Sequence, residues 1–263
     1  MWDKFVHRWL FVPYALYVRT KKKGIKPRKT VLFLHGIGNS GAAWQDVIDK
    51  LPDDIRVISI DLLGFGQSPR PKKVIYDART QSRAVIATLL KAGITGRLVI
   101  VGHSLGALVA VEVAKRYPVI VRSLILCSPP FYLGEDNHIS LRRERRLRNL
   151  YRLIQKHPEQ FVKISALGVK YNVVNKAYSV TSDDVGAFMD TVESSILNQT
   201  ALKDAQRLRK PMRIIHGCFD SYVIKANLKY LTEHNDYASL RVVAAGHEVR
   251  GRYVDAVIEE IIK

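Results

Sequence analysis

Apolar residues in this chain fall into short continuous runs, and between the runs they recur every three or four positions. Val31-Leu32-Phe33-Leu34, Val57-Ile58-Ser59-Ile60, Leu98-Val99-Ile100-Val101 and Leu124-Ile125-Leu126-Cys127 are such runs, joined later by Met212 to Ile215 and Leu240 to Val243. Runs this short, with little polar alternation, predict strands covered on both faces. Tyr14 to Arg19 alternates instead and predicts an early strand. Helical spacing spans Ala42 to Leu51, Asp77 to Ala92 and Ser104 to Tyr117. Gly93 ends the second because glycine accepts the left-handed cap, and Pro118 ends the third because proline has no N–H to donate. Strand and helix in alternation predict an α/β fold, a mostly parallel central sheet flanked by helices.

The alternation breaks between Pro129 and about Asn198, where no strand pattern is found. Leu141, Leu147, Leu150, Leu153 and Ile154 are expected along one face of a basic helix there. The expected organisation is a core of residues 1–128 and 199–263 with a helical cap, 129–198, inserted between them. A length of 263 residues suits one such domain. At 47% hydrophobic and 25% charged residues, disordered and fibrous classes are excluded.

Trp2, Phe5, Val6 and Trp9 are spaced for a short amphipathic helix, expected to pack on the domain, with interfacial membrane contact as the alternative. Met1 to Val12 is too short and too charged for a signal or a membrane span. Cys127 and Cys218 are expected to be reduced, and the expected location is cytoplasmic. The net charge of +18 raises attraction to anionic surfaces. Its dense places are Lys21-Lys22-Lys23 with Lys26, Arg28 and Lys29, and Arg142, Arg143, Arg145, Arg146 and Arg148. Neither matches a nucleic-acid-binding pattern, so no specific nucleic acid is expected, and the charge points at most to weak association with an anionic membrane surface.

The sharpest chemical signal is Gly102-His103-Ser104-Leu105-Gly106, between a predicted strand and a predicted helix. A G-x-S-x-G elbow needs that context: a tight strained turn, glycines where flanking side chains would collide, and a serine projecting at the strand's carboxyl end. Serine is a weak nucleophile and needs a base. His247, in Ala245-Gly246-His247-Glu248 just after the last strand, is the candidate. Asp220, directly after the strand Met212 to Ile215, is the candidate acid that would fix the tautomer of the base. Asp236 competes weakly, on the opposite edge. The backbone N–H groups of Leu105 and Ile37 are the candidate oxyanion donors, each worth about 3 kcal/mol in the transition state. Ile37 lies in His35-Gly36-Ile37-Gly38, whose glycines let backbone approach a substrate, and His35 is expected to brace that loop. His103 and His216 are expected to be structural.

These stretches, with Asp61-Leu62-Leu63-Gly64-Phe65-Gly66-Gln67-Ser68, resemble the α/β-hydrolase family of capped esterases, lipases and C–C bond hydrolases. The resemblance covers about Val31 to Glu248. It implies a sheet of about eight strands, a cap inserted after the sixth, and structural roles for Asp61 and Ser68. Epoxide hydrolases and haloalkane dehalogenases of this fold use an aspartate at the elbow, where this chain has Ser104. The expected activity is cleavage of a small-molecule carboxylic ester through a Ser-His-Asp triad and an acyl-enzyme, with no cofactor or metal. C–C bond hydrolysis or cofactor-free perhydrolysis on the same fold is the alternative, and a ligand receptor with a retained triad is an alternative of another class. Phe65, Phe131, Tyr132, Leu133, Phe188 and Val223 are candidate pocket walls, since they flank catalytic loops or lie in the cap.

Overall fold

The computed structural model describes His7 and residues 12–22, 26–133, 141–171, 174–181 and 184–263. Seven strands form one sheet: β1 Val18–Lys22, β2 Lys29–Leu34, β3 Ile55–Ile60, β4 Leu98–His103, β5 Val121–Cys127, β6 Met212–Gly217 and β7 Ala238–Val243. Their order is β1-β3-β2-β4-β5-β6-β7, with β1 antiparallel to β3 and every other pair parallel. The resemblance implied about eight strands; seven lie among the described residues.

Alternate side chains of the inner strands enter two separate apolar layers. Leu32, Leu34, Ile58, Ile100, Leu124 and Ile214 face one; Val31, Phe33, Val57, Val99, Ile125 and Ile215 face the other. This two-sided burial is why the runs read as continuous apolar segments. The first layer is covered by α2 Ala78–Lys91 and α3 Leu105–Arg116. The second is covered by a 3-10 turn, Gly41–Trp44, the short helix α1 Gln45–Ile48 and the C-terminal α9 Arg252–Ile262. Helix α2 begins where Asp77 Oδ1 accepts the Thr80 N–H at 2.7 Å, an N-cap that satisfies one of the orphan amides of the first turn.

The chain runs from β2 outward to β3, then crosses back over β2 to β4. At such a reversal the connections leave on opposite faces and open a crevice at the strands' carboxyl ends. Here that crevice lies at Leu34 and His103, the last residues of β2 and β4.

Between β5 and β6 the described residues hold helices and no strand: α4 Leu141–Lys156, α5 Pro158–Lys170 and α6 Val185–Thr191, which continues as a π-helical turn to Leu197. The break therefore follows the fifth strand of this sheet, not the sixth. Helices α7 Ala201–Arg207 and α8 Lys225–Glu233 complete the fold.

Two local expectations are corrected. The first strand starts at Val18 rather than Tyr14, because the N–H groups of Leu16 and Tyr17 are taken by the Thr88 and Ser68 hydroxyls at 2.8 and 2.9 Å, leaving the sheet ladder to begin later. The inward stripe of α4 is Glu144, Leu147, Tyr151 and Ile154, while Leu150 and Leu153 are exposed. The cause is Glu144: its Oε1 accepts the Leu133 N–H and the Asn227 amide, both at 2.9 Å, which rotates the helix away from a purely apolar seam. Trp2, Phe5, Val6 and Trp9 of the expected first helix lie outside the described residues, as do Lys23 and the side chains of Lys21, Lys22, Leu141 and Arg143.

Candidate active site

Ser104 sits between β4 and α3 with φ 51° and ψ −114°, a conformation that non-glycine residues rarely adopt. Two packing constraints impose the turn. A side chain on Gly102 would strike the backbone of Gly106, and one on Gly106 would strike the carbonyl of Leu34. The turn is therefore pressed against β2, and Ser104 is held at the crevice by its own N–H, which donates to the Cys127 carbonyl at 2.9 Å. Leu105 is the first residue of α3, so its N–H has no carbonyl one turn back to satisfy it.

The loop after β2 lies against this turn. A Cβ built on Gly36 would stand 3.3 Å from Ser104 Cβ and 2.9 Å from His103 Nδ1, which places the Gly36–Ile37 backbone beside the serine. His35 braces the loop. Its Nε2 accepts the Leu62 N–H at 2.8 Å, so its Nδ1 carries the proton and donates to the Gly36 carbonyl at 2.7 Å. Complete burial pushes the ring's pKa down to about 4. Gly38 packs under the ring of Tyr178, and its carbonyl accepts the Ser179 N–H at 2.8 Å, so the segment preceding α6 rests on this loop.

The His35 environment makes a stability prediction. Between about pH 6.5 and 4 the unfolded chain takes up a proton that the buried ring refuses, so stability is full above that window and is lost as pH falls through it. Urea midpoints measured from pH 7 to 4 should fall more steeply for the wild type than for His35→Gln. Equal slopes would mean that another group senses the acid.

Asp220 and His247 come together across 27 positions of sequence: His247 Nδ1 donates to Asp220 Oδ2 at 2.8 Å. The other carboxylate oxygen, Oδ1, accepts the N–H groups of Tyr222 and Val223 at 2.8 and 3.2 Å. Burial alone would raise the Asp220 pKa, but the bond to His247 and its charge, the Ser128 hydroxyl and the Tyr222 amide together hold it at about 2. The two loops touch at Gly217, where a side chain would collide with the carbonyl of Gly246. His103 Nε2 donates to the His247 carbonyl at 2.9 Å, and its ring packs 4.9 Å from that of His247, tying the elbow to the base. Burial lowers the pKa of His103, so it serves as a neutral strut.

Asp61 is fully buried and accepts Arg19 Nε and Nη2 at 2.9 and 2.7 Å, with the Gly41 and Gln67 N–H groups at 2.7 and 2.8 Å. It joins β1, the 3-10 turn and the loop after β3. Ser68 donates to the Asp61 carbonyl. Phe65, Phe131, Tyr132, Leu133, Phe188 and Val223 are all buried in the first apolar layer. A cleft of about 520 Å³ lies between Ala42, Asp46, Lys176 and Arg250, and neither these six residues nor Ser104, Asp220 and His247 line it. Both cysteines are free, Cys127 buried and Cys218 exposed.

Sequence reasoning missed three contributors. Ser128, with φ 47°, ends β5 beside the elbow and reaches Asp220; its Oγ lies 3.1 Å from Tyr253 Oη, which donates to the Ile215 carbonyl at 2.6 Å. Its position directly after a strand, at the same sheet edge as Ser104, was a usable signal. Tyr222, whose ring meets that of His247 edge-on at 5.1 Å, and Tyr178 carried none.

Comparison with known proteins places the fold. A family model for the alpha/beta hydrolase fold matches residues 29–249. A probable lysophospholipase of Arabidopsis thaliana, BODYGUARD 2, is 32% identical over 125 residues, 45% of this chain and 26% of that protein. The uncharacterised protein Rv2715 of Mycobacterium tuberculosis is 40% identical over 98 residues, 37% of this chain and 28% of its own length. The matches thus span about a quarter of those relatives. Among solved structures, an esterase from Exiguobacterium antarcticum superposes with a TM-score of 0.73 at 16% identity, covering 94% of both chains. A hydrolase from Oleispira antarctica gives 0.74 at 17% identity, covering 96% of this chain and 94% of that one. At such identities the superpositions speak for the fold.

Proposed function

The chain belongs to the α/β-hydrolase fold family, and we propose from this that it is a serine hydrolase cleaving carboxylic esters through an acyl-enzyme. The observation that carries the reading is the His247–Asp220 bond of 2.8 Å, formed at the sheet edge where Ser104 is held in a strained turn. With Nδ1 donating to a carboxylate, the neutral imidazole keeps its lone pair on Nε2, the nitrogen that can take a proton. His247 Nε2 removes the Ser104 proton as Oγ attacks the ester carbonyl carbon. The oxyanion is held by the Ile37 and Leu105 N–H groups. Collapse expels the alcohol, protonated by His247. Water, deprotonated by the same nitrogen, then releases the acid and restores Ser104. Asp220 stays ionised throughout and steadies the imidazolium.

Under this reading the helical segment 129–198 caps the site. The printed name of the Arabidopsis relative supports including a lysophospholipid among the substrates tried. The test is a chain-length panel of p-nitrophenyl esters together with lysophosphatidylcholine. Turnover of at least one ester, with a burst equal to the enzyme concentration or stoichiometric labelling of Ser104 by a fluorophosphonate, is expected. No turnover with tight binding of an ester would replace the enzyme by a receptor.

A further inference from the structure

Helices α4 and α5 have two faces, and only one is used by the fold. Leu147 and Tyr151 of α4 and Phe161 and Val162 of α5 turn inward, where Phe161 meets Phe188 with ring centres 4.9 Å apart. Outward, Leu150, Leu153, Ile164, Leu167 and Tyr171 stand exposed, the last at 70%. They are five of the fifteen large exposed hydrophobic residues among the described ones, gathered in a single stretch. Scattered apolar residues on a surface are ordinary; a gathered set marks an interaction site.

Basic side chains interleave with them. Arg145, Arg146, Arg152, Lys156, Lys163 and Lys170 are exposed on the same two helices. Residues 141–171 hold nine Lys and Arg against two acids, and one of those acids, Glu144, is turned into the fold. A partner that satisfies both components must offer negative charge at its surface and hydrocarbon just beneath it. Nucleic acid would meet the cations and leave the leucines and isoleucine in water. An anionic bilayer meets both, with arginine and lysine heads at the phosphates and aliphatic side chains below them. No helix among the described residues is long and apolar enough to cross a membrane, so attachment through these two helices lies in the interface.

We propose that the outward faces of α4 and α5 dock the protein on anionic lipid. The inference does not depend on what Ser104 hydrolyses. The full chain should cosediment, at physiological salt, with phosphatidylcholine vesicles that contain phosphatidylglycerol and not with phosphatidylcholine alone. Arg145→Gln, Arg146→Gln and Arg152→Gln combined should weaken binding roughly a hundredfold, about fivefold for each charge removed near the surface. Leu153→Ser, Ile164→Ser and Leu167→Ser combined should weaken it by about tenfold or more, from lost apolar burial. All six positions are exposed, so both variants should fold and hydrolyse a short soluble ester as the wild type does. Ser104→Ala should bind vesicles unchanged, which separates docking from catalysis. The proposal is overturned by absence of cosedimentation, by binding that both triple variants retain, or by binding to DNA that matches the vesicles. It is equally overturned if the apolar triple has no effect and raised salt removes all attachment.

Discussion

Ser104→Ala should lower ester turnover by on the order of 10⁶ while leaving the urea midpoint where it was. In the proposed mechanism the hydroxyl oxygen forms the acyl bond, so no neighbour can replace it. Its loss costs the fold little, because the Ser104 side chain makes no capping hydrogen bond to α3. What stresses the fold at this position is backbone: φ 51° with ψ −114° costs about 1–3 kcal/mol for any residue with a Cβ. Alanine keeps that strain. Ser104→Gly releases it against an unfolded-state entropy cost of about 0.4–1 kcal/mol, so the glycine variant should be equally inactive and more stable than either. Turnover that survives Ser104→Ala would remove the proposed nucleophile. A glycine variant less stable than the alanine one would remove the strain argument.

Asp220→Asn should lower kcat by about 10⁴ with KM little changed. The geometry fixes the sign. Oδ1 of Asp220 accepts two backbone N–H groups, from Tyr222 and Val223, so the amide oxygen of an asparagine must take that place. The amide nitrogen then faces His247 Nδ1, where the carboxylate oxygen stood at 2.8 Å. A donor there forces Nδ1 to accept, the imidazole proton moves to Nε2, and the lone pair that should take the serine proton is gone. Adding Ser104→Ala to Asp220→Asn should cost nothing beyond the serine change alone, because the proposed mechanism makes the two one device. A kcat for Asp220→Asn within about tenfold of wild type would show that the carboxylate does not set the tautomer.

Much of this was legible along the chain. The strands from Val31 to Val243 showed because each is buried on both faces, so its sequence must be apolar at consecutive positions. Ser104, Asp220 and His247 stood out because each follows such a run directly, and a parallel sheet gathers its strand ends at one edge. His35 could be read as a brace for the same reason: a buried ring at a strand end must spend both nitrogens.

Other features depend on contacts between distant residues, and no local pattern encodes them. The start of β1 was misread because the hydroxyls of Thr88 and Ser68, far along the chain, claim the N–H groups of Leu16 and Tyr17. The face of α4 was misread because Asn227, on α8, makes Glu144 an inward residue. The six aromatic and aliphatic candidates for pocket walls are apolar residues near the loops that carry the candidate groups, a description that fits core and pocket lining equally well, and the fold buries all six.

By itself, then, the order of residues determined the layering of the sheet and the elbow, and marked three candidate groups at strand ends, since periodicity and strand ends are local properties of the chain. Only the tertiary structure decided which carboxylate oxygen meets the imidazole, that Ser128 and Tyr253 stand behind it, and which face of α4 is left to solvent. Those outcomes turn on hydrogen-bond partners separated by tens to more than a hundred positions, which become neighbours only when the sheet and its helices are assembled.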